Sequence, residues 1–244
     1  MDTAEDVRLQ SVTKVYGTGP GAVRALRGVD LELPAATFTA VMGPSGSGKS
    51  TLLHCAAGLD RPTAGSVWLG PVDLAGLTEI ELTELRRSKI GFIFQAYNLI
   101  NALTVEENIT LPLRLAGTKP DRAWQAEIVR QVGLAERVRH RPSELSGGQQ
   151  QRVAIARALI TKPAVIFADE PTGALDTRTA AVVLDLLARL VRTLGQRVLM
   201  VTHDPVAAAR ADRVVFLADG RRAGDLVRPT PDEVAERMTK LGKW

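Results

Sequence analysis

A glycine-rich stretch at residues 43–51, GPSGSGKST, has the residue types and the spacing that bind phosphate. It fits the pattern G-x-x-x-x-G-K-[S/T] through Gly43, Gly48, Lys49 and Ser50. In such a loop the backbone N–H groups turn inward around the phosphates, the lysine reaches the β- and γ-phosphates, and the hydroxyl binds Mg²⁺. The stretch therefore predicts a site for a nucleoside triphosphate and Mg²⁺. The residues predicted to surround the nucleotide are Gly43, Pro44, Ser45, Gly46, Ser47, Gly48, Lys49, Ser50 and Thr51.

Two adjacent acids follow an apolar run at residues 165–170, VIFADE. A continuous apolar run of this kind is typical of a central parallel strand that is covered on both faces. Asp169, at the strand end, is predicted to help hold Mg²⁺, and Glu170 is predicted to polarise a water in line with the γ-phosphate. Acids at a strand exit can also be plain surface residues, but the phosphate loop favours the catalytic interpretation.

A second candidate phosphate cradle lies at residues 144–160, ELSGGQQQRVAIARALI. A serine and two glycines open a predicted helix, and a helix N-terminus presents N–H groups and partial positive charge to an anion. One domain needs only one loop to hold its nucleotide, so the second cradle needs a separate explanation. A phosphate loop with an acidic strand end occurs in many nucleotide hydrolases, motors and kinases, and these classes stay open at this point.

Composition narrows the function classes only slightly. The chain has 244 residues, with 31 Lys and Arg against 27 Asp and Glu, and a formal net charge of +4. This basic excess is small and scattered, so no nucleic acid partner is predicted. The single cysteine, Cys55, forbids an intrachain disulfide and favours a reducing compartment. The N-terminus is acidic rather than a secretory signal, and no apolar stretch approaches the roughly 18 residues of a membrane span, so a soluble chain is predicted.

An α/β fold must position the loop and the acids. Predicted strands include residues 7–14, 29–34, 37–42 and 164–169. Helical spacing predicts a helix after the phosphate loop, a helix capped by Thr78, and a helix over 121–138. After the last acid, strands alternate with helices, which indicates a parallel sheet with right-handed crossovers.

We predict a single domain over residues 1–244. Its core lobe covers about 1–95 and 162–225, and a helical lobe at about 96–161 is inserted into it. Thr230, Pro231 and Glu233 form a capping-box pattern, which predicts a peripheral helix at about 230–241. We assign that helix no role.

The second cradle resembles the signature of the ATP-binding cassette family, because residues 145–149 read LSGGQ. Other family elements stand in order around it: an adenine-stacking aromatic at Tyr16, a Q-loop glutamine at Gln95, a D-loop aspartate at Asp176 and a switch histidine at His203. Each residue alone is a weak signal, whereas their order and spacing together are hard to reach by chance. The resemblance covers nearly the whole chain. It implies a P-loop NTPase with a RecA-like parallel-sheet core, an N-terminal antiparallel β subdomain and an inserted α-helical signature subdomain.

The resemblance explains why one chain carries two phosphate cradles. In this family two domains pack head to tail, and the signature of one closes over the ATP that the other holds. Ser146, Gly147 and Gly148 are implied to bind the partner's γ-phosphate. Gln149 and Asp176 are also implied to be nucleotide-binding residues. The partner is implied to be a second copy in a homodimer, or a related cassette.

The same resemblance implies roles in ATP hydrolysis. Glu170 activates water while His203 and Lys49 hold the γ-phosphate, and Gln95 senses the metal and the γ-phosphate. The implied Mg²⁺ ligands are Ser50, Gln95 and Asp169. Residues 95–108 are implied to face an integral membrane permease, which places the chain in the cytoplasm, peripheral on the inner face of the cell membrane.

Stretches such as VMGPSGSGKSTLLH and ADEPTGALD are similar to the macrolide-export, lipoprotein-release and bacitracin-resistance branch of the family. In that branch the cassette often powers a separate permease for antimicrobial peptides, lipids or lipoproteins. Because the sequence ends at Trp244 without a membrane span, the fused macrolide-export form is not expected. The main alternative is a soluble cassette ATPase acting on nucleic acid or ribosomes, but DNA-organising members insert a long coiled coil, and no heptad run is present here. The substrate, its direction of transport and the permease stay open.

Overall fold

The N-terminal part of the chain forms an antiparallel sheet. The computed structural model describes residues 6–241. Strands β1 (Val7–Tyr16), β2 (Val23–Leu33), β4 (Ala64–Leu69) and β5 (Val72–Asp73) pair in the order β2-β1-β4-β5. Alternation along β1 buries Val7 and Leu9 on one face, as a half-buried strand requires.

The second sheet has six strands in the order β10-β9-β3-β8-β7-β6. They are β3 (Phe38–Met42), β6 (Ile90–Phe94), β7 (Val165–Asp169), β8 (Val198–Val201), β9 (Arg213–Ala218) and β10 (Arg221–Val227). Strands β9, β3, β8, β7 and β6 are parallel, and β10 closes the edge as an antiparallel neighbour of β9. The predicted α/β class, with a parallel-sheet core and an N-terminal antiparallel sheet, is confirmed.

Eight α-helices accompany the strands over residues 6–241. They are α1 (Lys49–Ala56), α2 (Glu79–Lys89), α3 (Val105–Leu115), α4 (Arg122–Gln131), α5 (Gly147–Leu159), α6 (Thr177–Leu194), α7 (Pro205–Ala208) and α8 (Pro231–Leu241). Thr78 caps α2 in a capping box with Glu81, as its sequence position predicts. Thr230 and Glu233 make the same reciprocal bonds at the start of α8. Within the described residues 6–241, no helix is both long and apolar enough to cross a membrane.

The parallel sheet separates two hydrophobic clusters. Val165 and Phe167 of β7 face the cluster shared with α1 and the antiparallel sheet. Ile166 and Ala168 face the cluster shared with α3, α5 and α6. Successive residues of one strand point to opposite faces, so β7 is covered on both sides and its end is held firmly in place.

Three local predictions were incomplete. The helix predicted over 121–138 ends at Gln131, because the chain turns at Gly133 with φ of +68° before a short 3-10 turn. The strand predicted at 29–34 begins earlier, at Val23, since β1 and β2 form one long hairpin. Strand β10 was not predicted, because its sequence RRAGDLV has neither an apolar run nor a regular alternation, and it lies at the sheet edge.

Candidate nucleotide site

A cleft of about 510 Å³ opens at the carboxyl ends of the parallel strands. The phosphate loop connects β3 to α1 and supplies one wall through Gly43, Ser45, Gly46, Gly48, Lys49, Ser50 and Thr51. The lining also includes Asp169, the last residue of β7, Glu170 directly after it, and His203 after β8. Because β3, β8 and β7 are neighbours in the sheet, residues far apart in the chain meet at one edge.

Gly48 shows why the loop needs glycine. It has φ of +97° and forms the N-cap of α1. A Cβ atom there would lie 2.3 Å from the carbonyl oxygen of Ala25 in β2, a distance that no side chain tolerates. The tight approach lets the loop curl directly into α1, so the helix N-terminus faces the cleft.

Lys49 lies in the cleft with its ammonium folded onto the loop. Its Nζ donates hydrogen bonds to the carbonyl oxygens of Gly43 (2.8 Å) and Pro44 (2.9 Å). Burial lowers the pKa of the Lys49 ammonium, while the nearby carboxylates of Glu170 and Asp169 oppose that shift. Lys49 is therefore a half-buried cation whose N–H donors bond to backbone oxygens in this structure. The same donors are suited to bond to phosphate oxygens when a nucleotide is present.

The two acids differ in their surroundings. Burial raises the pKa of the Asp169 carboxyl, with a smaller rise from Glu170 that His54 and Lys49 oppose. Glu170 has φ of +47°, a left-handed conformation that is rare for a side-chain-bearing residue and is held by a 2.9 Å bond from its N–H to Val201. Its Oε1 lies 2.8 Å from His203 Nδ1, so the strand end aims this carboxylate at the exposed histidine.

Several residues predicted from the sequence lie outside the cleft wall. Pro44 and Ser47 face a smaller cavity behind the phosphate loop. Tyr16 lies at the end of β1 beside Val23, with its hydroxyl turned to Asp60. Gln95 follows β6, one strand beyond Asp169, and its side chain lies against Gly173.

The LSGGQ segment lies outside the cleft lining. Ser146 caps α5 and exchanges two hydrogen bonds with Gln149, at 2.9 and 3.3 Å. A Cβ atom on Gly148 would lie 2.3 Å from Thr179 Cγ2, so this glycine allows α5 to approach the start of α6. Asp176 caps α6 by accepting a bond from Thr179 N at 3.0 Å. Ser146 and Asp176 are exposed, and none of the described cleft-lining residues comes from these two segments.

The sequence analysis missed part of the cleft. Val23, Arg24 and Ala25 of β2 also line it. The signal that could have located them is the glycine-rich turn between Tyr16 and Val23, which predicts a hairpin returning β2 beside β1.

A parallel sheet with a phosphate loop after β3 and two acids at the end of β7 defines a phosphate-loop nucleotide-binding protein, here with a helical insertion that carries LSGGQ. A family model described as ABC transporter matches residues 26–173. The chain belongs to the ABC transporter family, and its nucleotide-binding unit is an ATP-binding cassette.

Individual relatives agree with this assignment. The chain is 44% identical over 247 residues to the macrolide export ATP-binding/permease protein MacB of Marinobacter nauticus, covering 98% of this chain and 38% of that protein. It is 49% identical over 222 residues to the lipoprotein-releasing system ATP-binding protein LolD of Anaeromyxobacter dehalogenans, covering 90% and 93%. A solved dimeric structure of the ABC transporter cassette MJ0796 superposes with a TM-score of 0.80 at 42% identity, covering 92% of this chain and 99% of that one. A dimeric post-hydrolysis state of MJ0796 bound to ADP and Pi matches with the same scores.

Proposed function

We propose that this chain binds and hydrolyses ATP, and that this powers a separate membrane permease of the exporter or mechanotransmission type. The observation that carries the proposal is the cleft that brings Lys49, Asp169, Glu170 and His203 together. The LSGGQ segment lies outside that cleft and is exposed at Ser146. Two such surfaces on one chain fit two copies arranged head to tail.

The chemistry of the cleft follows from its groups. Lys49 moves its donors from Gly43 and Pro44 to the β- and γ-phosphates, and the N-terminus of α1 faces their negative charge. Glu170 accepts a proton from the attacking water, and His203 donates a hydrogen bond to the γ-phosphate. The oxygen donors of Ser50 and Asp169 line the same cleft and suit Mg²⁺, which supplies neutralisation of phosphate charge when bound. Gln95 lies with its side chain against Gly173 and is proposed to turn from there toward this centre.

The signature is proposed to close the site of the second copy. Ser146 and the N–H groups that open α5 present donors and a positive helix end to the partner's γ-phosphate. Asp176 sits beside them at the start of α6. ATP then joins the two copies, and hydrolysis releases them.

Mixed dimers test this arrangement. We expect the Lys49→Ala chain and the Ser146→Arg chain, each in a Glu170→Gln background, to trap no ATP when each is alone. Mixed together they rebuild one complete site from the phosphate loop of one chain and the signature of the other. The measurement is bound ATP per dimer after gel filtration, with one ATP per mixed dimer expected. An unmixed variant that traps as much ATP as the Glu170→Gln parent would contradict the head-to-tail site.

An apolar groove is the proposed docking site of the permease. It has a volume of about 420 Å³ and adjoins the segment that follows Gln95. Its apolar lining is Leu59, Ile90, Phe92, Phe94, Leu111 and Leu115. Arg86, Arg87 and Arg157 lie around it. Leu59 and Leu115 are 46% and 67% exposed. An exposed apolar groove with basic neighbours fits a short amphipathic segment that carries acidic residues.

A single charge in the groove should remove this contact. We expect Leu115→Asp to lower recovery of a polytopic membrane protein with the affinity-purified chain by about tenfold or more, because a buried carboxylate would face apolar side chains. Val227→Asp is the matched control, since Val227 is 73% exposed on β10, away from the groove. Mass spectrometry of detergent-solubilised membranes, with ATP and Mg²⁺, measures the recovery. Recovery of ribosomes or DNA-bound proteins instead would favour the soluble class.

We also propose where the chain acts and which substrates its permease exports. A cassette that docks on a permease acts in the cytoplasm, peripheral on the inner face of the cell membrane. The similarity to MacB and LolD supports an exporter of antimicrobial peptides, lipids or lipoproteins. The permease determines which of these it carries.

A further inference from the structure

Tyr16 lies beside the nucleotide cleft with its hydroxyl fixed and part of its ring exposed. It ends β1 opposite Val23, and Val23 lines the cleft. The phenol donates a 2.6 Å hydrogen bond to Oδ2 of Asp60, and the residue is 41% exposed. An aromatic ring held in this way at the edge of a site is available to a planar ligand.

Lys14 contacts both Asp60 and Tyr16. Its Nζ pairs with Asp60 Oδ1 and donates to the carbonyl oxygen of Arg61 at 2.7 Å. The same Nζ lies 4.9 Å from the centre of the Tyr16 ring, and the Lys14 side chain is only 12% exposed. An ammonium over an aromatic face is attracted to it and covers that face. The opposite face of Tyr16 is then the one on which a ligand can stack.

The charges in this cluster support a strong hydrogen bond. Burial opposes ionisation of Asp60, but the hydrogen bonds from Lys14 and Tyr16 outweigh it and hold the pKa of this carboxyl below its ordinary value. Burial, together with the bond to Asp60, raises the pKa of the Tyr16 phenol. At neutral pH Asp60 is therefore a carboxylate and Tyr16 a donor, and such charge-assisted bonds are the strong ones.

Asp60 is also tied to the helix that begins at the phosphate loop. Asp60 lies just past the end of α1, and its backbone N–H donates a 3.2 Å hydrogen bond to the carbonyl oxygen of His54 in that helix. Leu52 and Leu53 of α1 are fully buried in the core. One short, buried helix thus places the phosphate loop at one end and the carboxylate that holds Tyr16 at the other.

We propose that Asp60 and Lys14 are positioning residues that hold the Tyr16 ring for the adenine base of ATP. This inference rests on the proposed function and deepens it, since it assigns residues outside every motif to base binding. A ring that is already ordered loses less conformational freedom when the base stacks, so ATP binds more tightly.

The test compares a ligand that has a base with one that has none. We expect Asp60→Ala to raise KM for ATP by about tenfold, because the Tyr16 ring is then no longer ordered before the base stacks on it. The value of kcat should stay within about twofold, since the groups around the phosphates are unchanged. The inhibition constant of inorganic tripolyphosphate should stay within about twofold of that of the unaltered chain, since it has no base to stack. Asp185→Ala is the matched control, because Asp185 pairs with Arg210 at 2.8 Å outside the cleft.

Two further variants separate positioning from general damage. Tyr16→Phe keeps the ring but loses the donor, so it should raise KM as Asp60→Ala does, and the double variant should be no worse than either one. Asp60→Asn keeps an acceptor oxygen and should recover part of the loss. An unchanged KM in Asp60→Ala, an equal loss for tripolyphosphate, or full additivity would overturn the inference. ATP hydrolysis by the unaltered chain and its loss in Glu170→Gln test the proposed function separately.

Discussion

Replacing Glu170 with glutamine is expected to lower ATP turnover by about 10²- to 10⁴-fold while ATP binding is retained. Glutamine has nearly the same shape, and its amide can hydrogen-bond to either tautomer of His203, whose Nδ1 lies 2.8 Å from Glu170 Oε1. It cannot accept the proton of the attacking water, so the chemical step is lost and the ground-state complex remains. Single-turnover release of phosphate and equilibrium binding of ATP measure the two effects.

The Glu170→Gln chain should also accumulate as an ATP-bound dimer, since ATP joins the two copies and hydrolysis no longer separates them. Gel filtration with ATP and Mg²⁺ measures the dimer. Glu127→Gln is the control, because Glu127 bonds Arg130 on the surface of α4. Hydrolysis within a few-fold of the unaltered chain would remove Glu170 from the catalytic role.

Replacing Lys49 with alanine should weaken ATP binding itself. Its ammonium is half-buried between the phosphate loop and the two acids, so it is a charge that the loop already holds in the cleft. A hydrogen bond to a charged group contributes about 1.5–3 kcal/mol, which corresponds to a rise of about tenfold to a hundredfold in Kd. Isothermal titration with ATP measures the change.

Lys119→Ala is the matched control for this prediction, because Lys119 is exposed between α3 and α4 and outside the cleft. It removes a lysine of the same length without touching the loop. An unchanged Kd in Lys49→Ala would mean that the backbone N–H groups alone hold the phosphates. Loss of binding in both variants would point to a defect in folding.

The sequence predicted the elements that depend on local pattern. Apolar runs located β3 and β7, and the capping residues Thr78 and Thr230 marked the starts of α2 and α8 correctly. The phosphate loop and the two acids could be placed at one edge because parallel strands end on the same side. Lys49, Glu170 and His203 meet there.

What the sequence did not predict depends on contacts between distant segments. The β2 residues of the cleft wall needed the β1–β2 hairpin, and the Lys14–Asp60–Tyr16 cluster needed α1 to end beside β1. The position of Gln95 against Gly173 could not be read from its motif, since side-chain direction after a strand end depends on the neighbouring loop. None of these contacts leaves a periodic signal in the sequence.

The alternation of side chains along β7 has a consequence for how the protein unfolds. Val165 and Phe167 belong to one hydrophobic cluster, and Ile166 and Ala168 belong to the other. Unfolding of either hydrophobic cluster would expose one face of β7 to water. The packing of the other cluster against β7 would then be weakened as well. The described fold should therefore denature cooperatively, in one transition.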